Sequence, residues 1–239
     1  MQQSIKHAQS RLIPYEKERF DPSDYPNYVS LEEQIKVLES LGIEGAQQVA
    51  VSIQEWMDEY HMQAQIEGEP YYWLLMELGM PFYNEEGVIL NYPTEVFSFD
   101  FEGYDISTDY IEILNGMLAL AKGSCLDSVS NIREDITKVN WEQGDGKITL
   151  YLEWNGQEYA WDMDVYYDWI DSKVIGVLNV LLLEEGTQKL FYMTGDNGQG
   201  AIIFFCTPEW AEAFSEKTSL KLWHYEAWTD AQKEYVKIH

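Results

Sequence analysis

From Lys147 to Asp164 the chain alternates apolar and polar residues on both sides of Asn155-Gly156. Ile148, Leu150, Leu152 and Trp154 precede the pair, and Tyr159, Trp161 and Met163 follow it. Asn-Gly is the preferred pair for a two-residue type I′ turn, because both central residues must take positive φ. Placing the turn there sets the register: Leu152 faces Tyr159, Leu150 faces Trp161 and Ile148 faces Met163. All three apolar pairs fall on one face, and a slip of one residue would turn every one of them to solvent. The 147–164 hairpin is therefore the firmest element. On its other face Lys147 opposes Asp164, Thr149 opposes Asp162, and Glu153 opposes Glu158. Like charges directly across a strand pair are destabilising. Either a cation from elsewhere in the fold sits on Glu153 and Glu158, or the face awaits a cationic partner.

Around the hairpin the pattern predicts a strand at Phe97–Phe101, a helix from about Thr108 to Lys122 and one or two strands between Val129 and Trp141. A helix from about Trp169 to Leu183 follows, then strands at Leu190–Thr194 and Ala201–Cys206. The last is apolar on both faces and hence central. Pro208 starts a further helix to about Phe214. Earlier in the chain, Ser30 and Glu33 form a capping box before an apolar stripe of Leu31, Ile35, Leu38 and Leu41, which Gly42 ends. A longer helix is expected from Ala46 to Ile66, with Val49, Ile53, Met57, Tyr60 and Ala64 on one face, and a short one from Tyr71 to Leu78. Six of the seven prolines precede residue 95. That shift sets a boundary near Tyr92-Pro93-Thr94 between a mainly helical N-terminal region (1–95) and an α+β domain (96–239). The expected fold class is α+β, with helices on one face of a mostly antiparallel sheet.

Of 239 residues, 46% are hydrophobic and 15% aromatic, enough apolar surface for a folded core. The net charge of −27 argues against nucleic acid, whose phosphates must be neutralised by Lys and Arg, and against an anionic membrane surface. Its natural partners are a basic protein, polyamines or metal ions, unless the charge serves solubility alone. No signal peptide is visible between Met1 and Glu18, and the longest apolar run, Val174–Leu183, is about half the ~20 residues of a membrane span. Cys125 and Cys206 form no CxxC pair and read as reduced thiols of a cytoplasmic protein.

No catalytic, cofactor or metal motif stands out. His7, His61, His224 and His239 show no metal-ligand spacing, and Cys206 ends an apolar strand, as a buried structural thiol does. Gly195-Asp196-Asn197-Gly198-Gln199-Gly200 lacks the Lys and Ser/Thr of a phosphate loop and reads as a hairpin turn, with a functional loop as the other reading. Asp162 and Asp164 share a strand face about 7 Å apart and could hold a divalent ion with help from elsewhere. That leaves an alternative: a carboxylate-based hydrolase, with or without a divalent metal, acting on a small polar substrate through Asp162, Asp164 and Asp168.

The charge is also unevenly laid out. Between Lys36 and Lys122 there is no Lys or Arg, while 16 Asp and Glu occur. Ordinary solvated helices intersperse signs in i, i+4 pairs. The helix around Glu55, Asp58 and Glu59 cannot. With Trp56, Tyr60, Tyr71, Tyr72 and Trp73 nearby, either as core or as interface anchors, these carboxylates and Glu153 and Glu158 form the candidate protein-binding surface. In size, charge and absence of a catalytic motif the chain resembles bacterial immunity proteins, which neutralise co-encoded toxins. The resemblance implies an acidic inhibitor that occludes a basic toxin or enzyme and needs no cofactor. It carries no residue roles with it and does not set an oligomeric state.

Overall fold

The computed structural model describes residues 21–102, 109–194 and 199–224, with the backbone of 236–238. The segment 1–20, His7, His239, Thr108 and residues 195–198 of the glycine-rich loop lie outside the described residues.

Local signals account for the first helix. The Ser30 hydroxyl accepts from the Glu33 amide at 3.3 Å to cap α1 (Leu31–Ser40), Leu31, Ile35 and Leu38 are buried, and Gly42 at φ 84° closes the end. The single helix expected over 46–66 is instead two, α2 (Ala46–Glu59) and α3 (Gln63–Gly68), parted by His61 at φ 56°. The cause is tertiary. The break carries Ile66 and Glu67 beneath α1, where Glu67 Oε1 accepts from the Leu31 amide at 2.9 Å and Gln34 Nε2 donates to the Ile66 carbonyl at 2.8 Å. Capping an otherwise orphaned helix N–H with a carboxylate is worth about 1 kcal/mol. α4 (Tyr72–Gly79) completes a mainly helical N-terminal region.

A small hairpin follows, β1 (Phe82–Tyr83) with β2 (Ile89–Asn91), then β3 (Phe97–Asp100) and α5 (Asp109–Leu120). One long bulged strand, β4 (Ser130–Asn140), precedes β5 (Asp145–Trp154) and β6 (Gln157–Tyr166). The β5–β6 register is the expected one at all six pairs, and Asn155 and Gly156 take φ 52° and 75°. Next comes α6 (Val174–Glu185), which begins at Val174 rather than Trp169. Trp169 is bridged to Glu102 and Tyr166, and the Ile170 amide donates to the Phe101 carbonyl at 2.8 Å, so this stretch is held extended. β7 (Leu190–Thr194), β8 (Gly200–Cys206), α7 (Pro208–Thr218), β9 (Leu222–Trp223) and β10 (Val236–Ile238) end the chain's described elements.

The fold is α+β, and every strand pairing among the described residues is antiparallel. The expectation of one sheet covered on one face gives way to two four-stranded sheets, ordered β3-β8-β7-β9 and β10-β6-β5-β4. The first is covered on both faces. On one side the Ser98 hydroxyl donates to the Met76 carbonyl of α4 at 2.6 Å, and the Phe204 ring packs at a tilt against Trp210 and Phe214 of α7. On the other side Phe97 lies on Gly116 of α5, where the absent side chain lets the ring approach the helix backbone. β8 sits between β3 and β7, the central place its two apolar faces require.

α6 lies at the centre of the molecule. Every residue from Val174 to Leu182 is buried, as befits a helix apolar all round. Its one polar side chain there, Asn179, accepts from the Phe191 amide at 2.7 Å and donates to the Phe191 carbonyl at 3.0 Å, standing in for a strand partner of β7. At its far end Glu184 receives the Tyr159 hydroxyl of β6 at 3.3 Å, which ties the helix to the second sheet. One apolar core runs from Leu31 to Phe214 across both halves of the chain.

Candidate functional site

Ala46 and Ala50, small and buried, let α2 lie close against α1. Between the two helices runs a shallow groove of about 430 Å³. Buried Leu31, Ile35 and Ala50 make its floor, and exposed Val51, Glu32, Gln47, Gln54, Glu55 and Asp58 line its edges. Val51 stays 66% exposed although it is apolar. Glu55, Asp58 and Glu59 are all exposed, and the structure thus places two of the three on the groove and the third just beyond its end. Gln54 donates to Asp58 at 3.2 Å, but among the described residues no cation pairs with Glu55, Asp58 or Glu59. Among the described residues the base at this groove is Lys36, and it is engaged by Glu32 of the rim at 2.6 Å. The groove is apolar below and anionic at its edge. It can take an apolar side chain while cations settle on the rim.

The hairpin face is arranged otherwise. Glu153 and Glu158 oppose each other as the register requires. β4 supplies donors to both: Arg133 Nη2 lies 2.5 Å from Glu158 Oε2, and Asn131 Nδ2 donates to Glu153 Oε2 at 2.7 Å. The Arg133 guanidinium also sits 3.8 Å from the Tyr151 ring centroid, which fixes its direction. Of the two ways to relieve this like-charge pair, a cation from within the fold is the one present on Glu158. Sequence reasoning missed Arg133 because two bulges shift the β4 register against β5.

Further along the same face, Lys147 meets Asp164 at 2.9 Å and the Thr149 hydroxyl donates to Asp162 at 2.8 Å, both as the register predicts. Lys173 adds a second ion pair to Asp164 at 2.7 Å. Hydrogen bonds from Lys173 and Lys147 hold the Asp164 carboxyl below its ordinary range. Each Asp164 oxygen therefore already faces an ammonium group, and a divalent ion would have to displace both. Asp168 is exposed in the turn after β6. Among the described residues no three His, Cys, Asp or Glu side chains are grouped as a metal would need. Cys206 is buried, and desolvation pushes its thiol up to about 12, far from a reactive thiolate. His61 is exposed at the α2–α3 break.

A second apolar surface escaped the sequence reading. The β1–β2 hairpin leaves Phe82, Tyr83, Val88 and Leu90 exposed. Asn84 and Gly87 between aromatic and branched residues were a turn signal that could have found it. No helix among the described residues is long and apolar enough to cross a membrane. Comparison with family models, curated proteins and solved structures finds no match to this chain.

Proposed function

We propose that this chain is an acidic protein-binding inhibitor of the immunity type, which captures a basic toxin or enzyme and occludes it. The observation that supports this reading is the α1–α2 groove, where Glu55 and Asp58 border exposed apolar surface and no base within the described fold pairs them. Interfaces of this kind join a desolvated apolar centre to a charged rim. A net charge of −27 would speed encounter with a cationic partner and repel anionic competitors. A cytoplasmic location and a partner encoded beside this chain belong to the same reading. The hydrolase alternative loses support because Asp164 is engaged by two lysines and Asp162 by Thr149.

The test is calorimetry against the purified basic protein encoded next to this chain, at two salt concentrations. Affinity should fall steeply with salt. Charge reversal by Glu55→Lys, Asp58→Lys and Glu59→Lys together should weaken binding at least tenfold, about 1.4 kcal/mol. A complex that ignores both changes would place the interface elsewhere. Heat on titration with Mg²⁺, Mn²⁺ or Ca²⁺ alone would revive the metal-dependent alternative.

A further inference from the structure

The β1–β2 hairpin holds large apolar side chains away from the core. Phe82 is 64% exposed, Val88 57% and Leu90 67%, within one short hairpin in which Phe82 pairs with Asn91 and Tyr83 with Ile89, Leu90 falling at the bulge between them and Val88 just before β2. Scattered exposed hydrophobes need no explanation, but four large ones gathered in one ten-residue hairpin, Phe82, Tyr83, Val88 and Leu90, mark a contact surface. The turn that presents them is rigidly built. Asn84 Oδ1 accepts from the Glu86 and Val88 amides at 3.1 and 2.8 Å, the Asn84 amide donates to the Val88 carbonyl at 2.9 Å, and Gly87 takes φ 80°. A two-stranded hairpin is marginal by itself, so this side-chain cage serves to keep an exposed surface in one shape.

Charge decides what covers it. Glu85 and Glu86 are exposed at the tip, and Glu112 and Asp109 of α5 approach Tyr83, whose phenol is raised first by partial burial and then by those two carboxylates. The whole hairpin lies within the stretch between Lys36 and Lys122 that contains no base. A second copy of this chain would bring −27 against −27, and nucleic acid or anionic lipid would meet the same repulsion. A basic protein surface is the complement.

We propose that the β1–β2 hairpin is a docking element that inserts Phe82, Val88 and Leu90 into an apolar cleft of a basic protein, with Glu85 and Glu86 set on cations at the cleft's rim. This rests on the reading of the chain as a binder of a basic protein and adds a contact separate from the α1–α2 groove. Burial of the three side chains supplies affinity that salt cannot screen, while the tip carboxylates select the sign of the partner.

Three labelled peptides test it on the full chain by fluorescence anisotropy: alternating Arg/Leu, alternating Arg/Ser and alternating Glu/Leu. The Arg/Leu peptide should bind at least tenfold tighter than either of the others. Phe82→Ser, Val88→Ser and Leu90→Ser together should reduce it to the Arg/Ser level, with Leu90→Ser alone giving a smaller loss and circular dichroism confirming an unchanged fold. If the triple variant binds Arg/Leu unchanged while Glu55→Lys, Asp58→Lys and Glu59→Lys abolish binding, the hairpin proposal fails and the basic-partner reading stands. If neither Arg peptide binds, both fall together. Equal binding of Glu/Leu and Arg/Leu would overturn the charge selection. So would a dimer in sedimentation equilibrium that the triple variant loses, since the occupant would then be a second copy.

Discussion

Two acidic surfaces of this molecule meet their charge in different ways. On α2, Glu55, Asp58 and Glu59 stand in solvent with no cation from the described fold upon them. On the β5–β6 face, carboxylates that the sequence sets directly against each other are held by Arg133 and Asn131 from the neighbouring strand. The densest local conflict in the sequence is thus relieved internally, and the quieter patch is left open. An excess of acidic residues does not by itself mark an interface. What matters is whether an element carrying a base packs within reach. The one base among the described residues of the N-terminal region, Lys36, is taken by Glu32, and the one buried carboxylate described there, Glu67, is held with neutral donors: the Leu31 amide at 2.9 Å and the Gln63 side chain at 2.7 Å.

The most damaging way to probe this contrast is at Glu67. Glu67→Ala would strand the buried Leu31 N–H at the start of α1 and the Gln63 amide, and should cost about 2–3 kcal/mol in urea unfolding. A loss below about 0.5 kcal/mol would mean that neutral donors are not what secures this region. The ion pairs of the sheet should matter less. Arg133→Ala removes an exposed pair and the Tyr151 contact, and is expected to cost about 0.5–1 kcal/mol. It should also open Glu158 to an added cation. Salt titration of both proteins checks this: the wild type loses a little stability in this sheet with salt, and the variant does not.

Acid reads the same sheet through Asp164. Its folded value lies below the ordinary 3.8, so its contribution is fully present above about 3.8 and is lost as pH falls through the folded value. Asp164→Asn should therefore flatten the lowest part of the acid unfolding curve. Because that side chain is 58% exposed, the effect at neutral pH should stay under about 1 kcal/mol. The smallest change in stability is expected from reversing Glu55, Asp58 and Glu59 to Lys. Exposed helix positions with no ion pair among the described residues, and only the exposed Gln54–Asp58 hydrogen bond to lose, should move stability by no more than about 0.5 kcal/mol. A large stabilisation would show that α2 suffers from its own repulsion and weaken the case that its charge is kept for a partner.

How much of this was readable from the chain depends on how local each cause is. The β5–β6 register was fully legible, because an Asn-Gly turn and seven alternating apolar residues act within one hairpin. The α1 cap and the central place of β8 were legible for the same reason. The break at His61 was not, since the apolar stripe of 46–66 continues through it and the force that turns α3 comes from Gln34 and Leu31 of another helix. Arg133 was hidden by bulges that only the formed ladder reveals. Of the candidate residues, Glu55, Asp58 and Glu59 were chosen from charge spacing alone. The groove beside them needed the packing of α1 on α2, and Val51 carried no signal until its exposure was known.

The burial of α6 on every side has a consequence for how the chain is made. As synthesis proceeds, β4, β5 and β6 emerge before this helix, while β7 and β8 emerge after it. Until those strands arrive, a run of nine residues that finish buried keeps one flank uncovered. The growing chain passes through a sticky interval, and a fragment that stops near Glu185 would be held in it permanently, prone to clump rather than to fold.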